Sequence, residues 1–184
     1  MSNTDALFAE LQVMGAGEFK HLNGSLAAHL RGTEALLRAW GAREALCLAG
    51  LYHAAYGTDG YQPALVSVGM RPKIAALIGE DAEEIAYLYG ACLRQVYYPR
   101  IGTNSQHMFA DRFSDSQYEI SVERVCDITE LILANELEIA SGSLEFRVSH
   151  GKKLSELFER MRAFVSPSGF EAHRQILASA PDRQ

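Results

Sequence analysis

AREALCLAGLYHAAY, residues 42–56, decides the fold. Leu46, Cys47, Leu48, Ala49, Gly50 and Leu51 follow one another without a polar break. Even extended to Tyr52, that run is far too short to span a bilayer. A helix that is apolar on every side has to be surrounded by other elements, so residues 42–56 read as the central helix of a helical core.

Outward from it, the same helical period recurs. A helix over residues 4–14 has Leu7, Phe8, Leu11 and Met14 on one side, and Gly15 and Gly17 end it. Ser25 can cap a second helix that carries Leu26, Leu30, Leu37 and Trp40, with Gly41 as its stop. Gly57 to Gly60 supply a turn, Pro72 opens a helix through Leu77, and Gly79 precedes another over residues 80–95. Between Tyr97 and Tyr118 the period dissolves into a long loop, a candidate lid. Val125, Ile128, Leu131, Ile132 and Ile139 then mark a helix over 121–140. A connection bracketed by Gly142 and Gly151 leads to helices over 154–165 and 170–178. No alternating run is long enough to predict a sheet, and no break divides the chain. The expectation is one all-α domain over residues 1–184, with the helices of 150–180 packed on the rest.

Composition narrows the function. A chain of 184 residues is long enough to bury roughly 70% of its unfolded surface. With 17 basic against 23 acidic residues the net charge is −6, which disfavours nucleic acid and anionic membranes as partners. No basic leader precedes an apolar segment, so a cytoplasmic protein acting on a small molecule is expected, and a homo-oligomer is left open. Cys47, Cys92 and Cys126 are widely spaced among apolar neighbours, which reads as buried, reduced thiols.

Three polar residues sit where the period demands apolar ones. His29 shares a face with Thr33, Leu36, Leu37 and Trp40, His53 with Leu46, Ala49 and Gly50, and Asn135 with Ile128 and Ile132. Burying such groups without partners costs about 1–3 kcal/mol each, so they meet one another around a cavity or each finds a local carbonyl or hydroxyl, as Thr33 offers to His29. Convergence makes His29 and His53 candidate proton-transfer groups and Asn135 a substrate-orienting amide. Thr33, Tyr56, Glu84, Tyr87 and Arg94 are the candidate substrate contacts.

The segments His29-Leu30-Arg31-Gly32-Thr33, Trp40-Gly41 and Ala49 through Thr58 together resemble a family with an HD-domain-like helical fold. The resemblance continues through Ile78 to Glu84 with Tyr87-Leu88 and ends near Ala134-Asn135-Glu136-Leu137, covering about residues 21–140. HD-domain proteins are metal-dependent phosphohydrolases and, in some branches, oxygenases. Their metal is held by a His, an adjacent His-Asp pair and a later Asp. By resemblance His29 matches the first His and His53 the His of the pair. Ala54 stands where the paired Asp would be, and Asn135 where the last Asp would be. Each missing carboxylate removes about 4 kcal/mol of attraction per unit of ion charge at about 4 Å. Three readings follow. The first is an isomerase, lyase or cyclase using His-based acid/base chemistry in a degenerate HD-type pocket. The second is a mononuclear hydrolase or oxygenase, its divalent transition metal held by His29, His53 and Asn135 with Glu84 or another carboxylate closing the shell. The third is a non-catalytic metabolite-binding module.

Overall fold

A computed structural model describes residues 3–21, 24–103 and 107–178. Helix dominates these residues. Helix α1 spans Asn3–Val13, and a two-strand ribbon of β1 (Lys20–His21) and β2 (Gly24–Ser25) leads into α2 (Leu26–Ala39). Next come α3 (Glu44–Tyr52), α4 (Arg71–Ile78), α5 (Glu80–Ala91) and the single turn α6 (Arg94–Tyr97). The hairpin β3 (Met108–Asp111) and β4 (Ser116–Glu119) precedes α7 (Val122–Gly142), α8 (Leu144–Met161) and α9 (Pro167–Ala178).

The caps act as the composition of the helix starts requires. The Ser25 hydroxyl accepts from the Ala28 N–H at 3.2 Å, and Ser121 and Ser143 do the same for Arg124 and Phe146 at the starts of α7 and α8. Every residue from Leu46 to Thr58 is buried, which is why α3 has no polar face. Helix α7 is the second axis of the core. It packs against α2, α3, α5, α8 and α9, and it buries Val125, Ile128, Leu131 and Ile132.

Three boundaries depart from expectation, each for a local reason. Helix α3 ends at Tyr52, and residues 53–56 turn rather than continue, so spacing rules stop applying there. Helix α8 begins at Leu144, and Gly151 is buried inside it rather than closing a connection. Its first half is largely exposed and shows no apolar stripe. The stretch expected as loop contains a β-hairpin. Its β3 face buries Phe109, Ala110 and Asp111, whereas β4 is exposed throughout, so neither strand alternates. The Leu93 N–H donates to Ala110 O at 2.9 Å and the Arg112 N–H to Ala91 O at 2.8 Å, fastening the hairpin to the end of α5.

Asp111 anchors that hairpin. Its carboxylate accepts from the Tyr87 hydroxyl at 2.8 Å and from the N–H groups of Phe113 and Ser114 at 2.8 and 3.2 Å. Burial pushes this carboxyl up, but the hydrogen bonds outweigh it and hold the group below its ordinary value. A depressed carboxylate contributes stability that is present above the unfolded value and disappears as pH falls through the folded one. Asp111→Asn is therefore expected to cost about 1–2 kcal/mol at neutral pH, with the gap to wild type closing below about pH 4. Melting curves of both proteins across the acid range test this, and a gap that stays constant down to acid pH refutes the anchor.

Candidate active site

His29 lies in the second turn of α2 with 3% of its surface exposed. Its Nδ1 faces the Glu138 carboxylate of α7, and its Nε2 lies 3.0 Å from Asn135 Oδ1 on the same helix. Asn135 Nδ2 donates to Glu136 Oε1 at 3.3 Å, which turns the amide oxygen toward His29. Both ring nitrogens of His29 thus face oxygen acceptors on α7, the Glu138 carboxylate and the Asn135 amide oxygen. Gly32 makes this reach possible. A Cβ there would stand 2.8 Å from Glu138 Cγ and 2.9 Å from its Oε1.

His53 follows the last residue of α3, where carbonyls lack helical partners. Its Nδ1 donates to Gly50 O at 2.7 Å, which fixes the ring's orientation and leaves Nε2 as its other polar atom. The His29 and His53 rings stand 5.1 Å apart at 87°, and His53 meets Tyr89 at the same distance and 79°.

Arg94 supplies the cation. Its guanidinium rests against the rings of Tyr89 and Tyr98, donates to the Tyr89 hydroxyl at 3.0 Å and reaches Glu136 Oε1 at 3.3 Å. Its backbone N–H donates to Asp59 Oδ2 at 3.0 Å. Gly57, at φ +70, starts a tight turn in which Thr58 and Tyr61 exchange backbone hydrogen bonds at 2.7 and 3.2 Å. That turn carries Thr58, Gly60 and Tyr61 to the site.

These groups share one cavity of about 520 Å³. Its polar lining includes His29, His53, Asn135, Arg94, Glu136 and Thr58, and Leu26, Ala54, Ile139 and Phe146 form an apolar wall. The structure therefore brings together His29, His53, Asn135 and Arg94 from the sequence candidates. Thr33 is buried but lies outside the lining, its hydroxyl donating to the His29 carbonyl at 3.0 Å.

Tyr56, Glu84 and Tyr87 lie elsewhere. The Tyr56 hydroxyl donates to buried Glu83 at 2.7 Å, and Arg71 clamps the same carboxylate at 2.8 and 2.9 Å while stacking 3.7 Å from the Tyr87 ring centre. Burial raises the Tyr56 phenol well above its ordinary value and lifts that of Tyr87 to about 12. Glu84 is exposed and accepts from Arg124 at 2.6 and 3.0 Å. The long segment after Tyr97 contributes none of the described lining residues.

The residues present do not fit the metal that the HD resemblance implies. His29 commits both nitrogens to Glu138 and Asn135, and Glu84 lies on another surface. Among the described residues no group of three or more His, Cys, Asp and Glu side chains is arranged to hold an ion. Cys47 and Cys92 are buried as expected, whereas Cys126 is half-buried. Burial lifts Cys47 to about 11 and Cys92 to about 12, and it raises Cys126 as well.

Glu136, Glu138, Thr58 and Phe146 escape sequence reasoning. Glu138 had a usable signal, since it stands three residues after Asn135 and one before Ile139, on the inward face of α7.

Among the described residues no helix is long and apolar enough to cross a membrane. The profile of a family described as a domain of unknown function (DUF6817) matches residues 10–94. That span holds His29, His53 and, at its last position, Arg94, while Asn135, Glu136 and Glu138 lie beyond it. No curated protein and no solved structure shows significant similarity to the chain.

Proposed function

We propose that the protein is a small-molecule enzyme on an HD-domain-like helical scaffold, catalysing proton transfer in an isomerisation, elimination or cyclisation. One observation carries the reading: two imidazoles stand perpendicular, 5.1 Å apart, on the wall of one cavity, each with its Nδ1 held by an oxygen, of Glu138 for His29 and of Gly50 for His53. His53, its Nδ1 anchored on Gly50 O, is the proton acceptor in this reading, through Nε2. His29, held between Glu138 and Asn135 Oδ1, fixes the amide that orients the substrate beside the reacting atoms.

The base removes a proton from carbon next to a carbonyl, and the electron pair moves onto the carbonyl oxygen. Return of the proton to a different atom completes an isomerisation, and departure of a β-leaving group with the electron pair completes an elimination. The scaffold assignment rests on order and place. The first His comes from α2, the second from the end of α3, and the amide from α7, the sequence in which HD-type ligands occur. Ala54 on the apolar wall fits a cavity that has exchanged a metal for an organic occupant.

Proton exchange in D2O tests this directly. The purified protein is incubated with 2-oxo acids, 3-hydroxy acids and amino acids, and the α-proton signals are followed by NMR. Catalysed loss of signal from at least one class is expected. Compounds that bind in the cavity without any exchange would instead establish the metabolite-binding module.

A further inference from the structure

The Arg94–Glu136 pair has a use that the acid/base chemistry leaves unassigned. Both residues line the cavity, with one charge of each sign, beside the apolar wall of Leu26, Ala54, Ile139 and Phe146. Their contact of 3.3 Å is long for a charge-assisted hydrogen bond, which settles at about 2.7–2.9 Å. Arg94 does not depend on it. The Tyr89 hydroxyl, the flanking Tyr89 and Tyr98 rings and the Asp59 contact to its backbone hold it independently. Glu136 receives Arg94 and Asn135 on the same oxygen, Oε1, so neither bond occupies Oε2. Glu138, the other carboxylate near the site, faces His29 Nδ1 and is not part of the cavity lining.

We infer that the cavity takes a net-neutral dipolar molecule with an apolar body, an amino acid with an apolar side chain being the simplest, its carboxylate on Arg94 and its ammonium on Glu136. This rests on the reading that the cavity is the substrate site. A purely anionic ligand would draw Arg94 away from Glu136 and leave a poorly solvated carboxylate beside it, and a purely cationic ligand would strand Arg94 in the same way. A phosphate monoester meets that repulsion twice over. The volume lies within the range of small-molecule sites, roughly 300–1,000 Å³.

Calorimetric titration with three matched probes decides the matter: L-phenylalanine, 3-phenylpropionate, which lacks the ammonium, and 2-phenylethylamine, which lacks the carboxylate. The wild-type protein is expected to bind the amino acid at least about tenfold more tightly than either analogue. Glu136→Gln is expected to shift preference toward 3-phenylpropionate, and Arg94→Gln toward 2-phenylethylamine. An analogue that equals or exceeds the amino acid on the wild type overturns the inference, and so does failure of the amino acid to bind at millimolar concentration. If either variant misfolds, the wild-type ranking still decides. Titration also separates the two proposals. Selective binding of the amino acid without proton exchange defeats the enzyme and keeps this ligand class, whereas exchange confined to oxo or hydroxy acids that phenylalanine does not displace does the reverse.

Discussion

Glu138→Ala is expected to destabilise the protein by about 3 kcal/mol, lowering the melting temperature by roughly 6–12 °C for a chain of this size. The reason is the buried contact left behind. His29 is 3% exposed, with Glu138 at Nδ1 and Asn135 Oδ1 at Nε2, so removing the carboxylate takes away the partner of Nδ1 inside the core. The figure sits at the lower end for breaking a buried pair because Glu138 itself retains 19% exposure. Glu138→Gln keeps an acceptor for Nδ1 and should lose less. Replacing both residues by leucine should recover most of the loss, since two apolar groups need no compensation. Urea denaturation of the four proteins measures this. A change below about 0.5 kcal/mol for Glu138→Ala, the scatter expected of an ordinary surface position, would show that the contact does not support the core.

The second large effect is kinetic. His53→Gln is expected to slow proton exchange by about 10²–10⁴, the usual contribution of a positioned acid/base group, equivalent to about 3–5 kcal/mol on the barrier. Glutamine can still donate an amide N–H toward Gly50 O, the bond that His53 makes at 2.7 Å, so the end of α3 should keep its shape. It has no basic nitrogen. Single-turnover exchange by wild type and variant, with melting curves alongside, separates lost chemistry from lost folding. An unchanged rate in a folded variant removes His53 from the reaction and overturns the acid/base assignment.

The residues that were legible in the sequence are those whose misfit was local. His29 and Asn135 each interrupt an apolar register on their own helix, and His53 comes directly after the end of α3, still close to the α3 register, so all three point inward and line one cavity. Choices that depended on a partner were not legible. Glu83 and Glu84 are neighbours on α5, and only Arg71 on α4 and the Tyr56 hydroxyl determine that Glu83 is the buried one. Tyr56 itself falls after the true end of α3, where counting turns of a helix misplaces it. Glu138 reads as an ordinary acidic residue until Gly32, more than a hundred positions earlier, is seen to leave room for it. The hairpin escaped because burial of all three of Phe109, Ala110 and Asp111 comes from the end of α5 and from Tyr97, not from a two-residue rhythm.

Asn135, Glu136 and Glu138 fall within one turn of α7, and rigid geometry ties their positions together. Each residue along a helix is rotated by about 100° from the last, so slipping α7 by a single step would carry the amide and both carboxylates off their partners at once. Assembly of this wall is thus all-or-none. Any occupant of the cavity draws on the same cooperative unit that holds the core, and by mass action its concentration should be readable as a rise in the unfolding temperature even before the reaction is known.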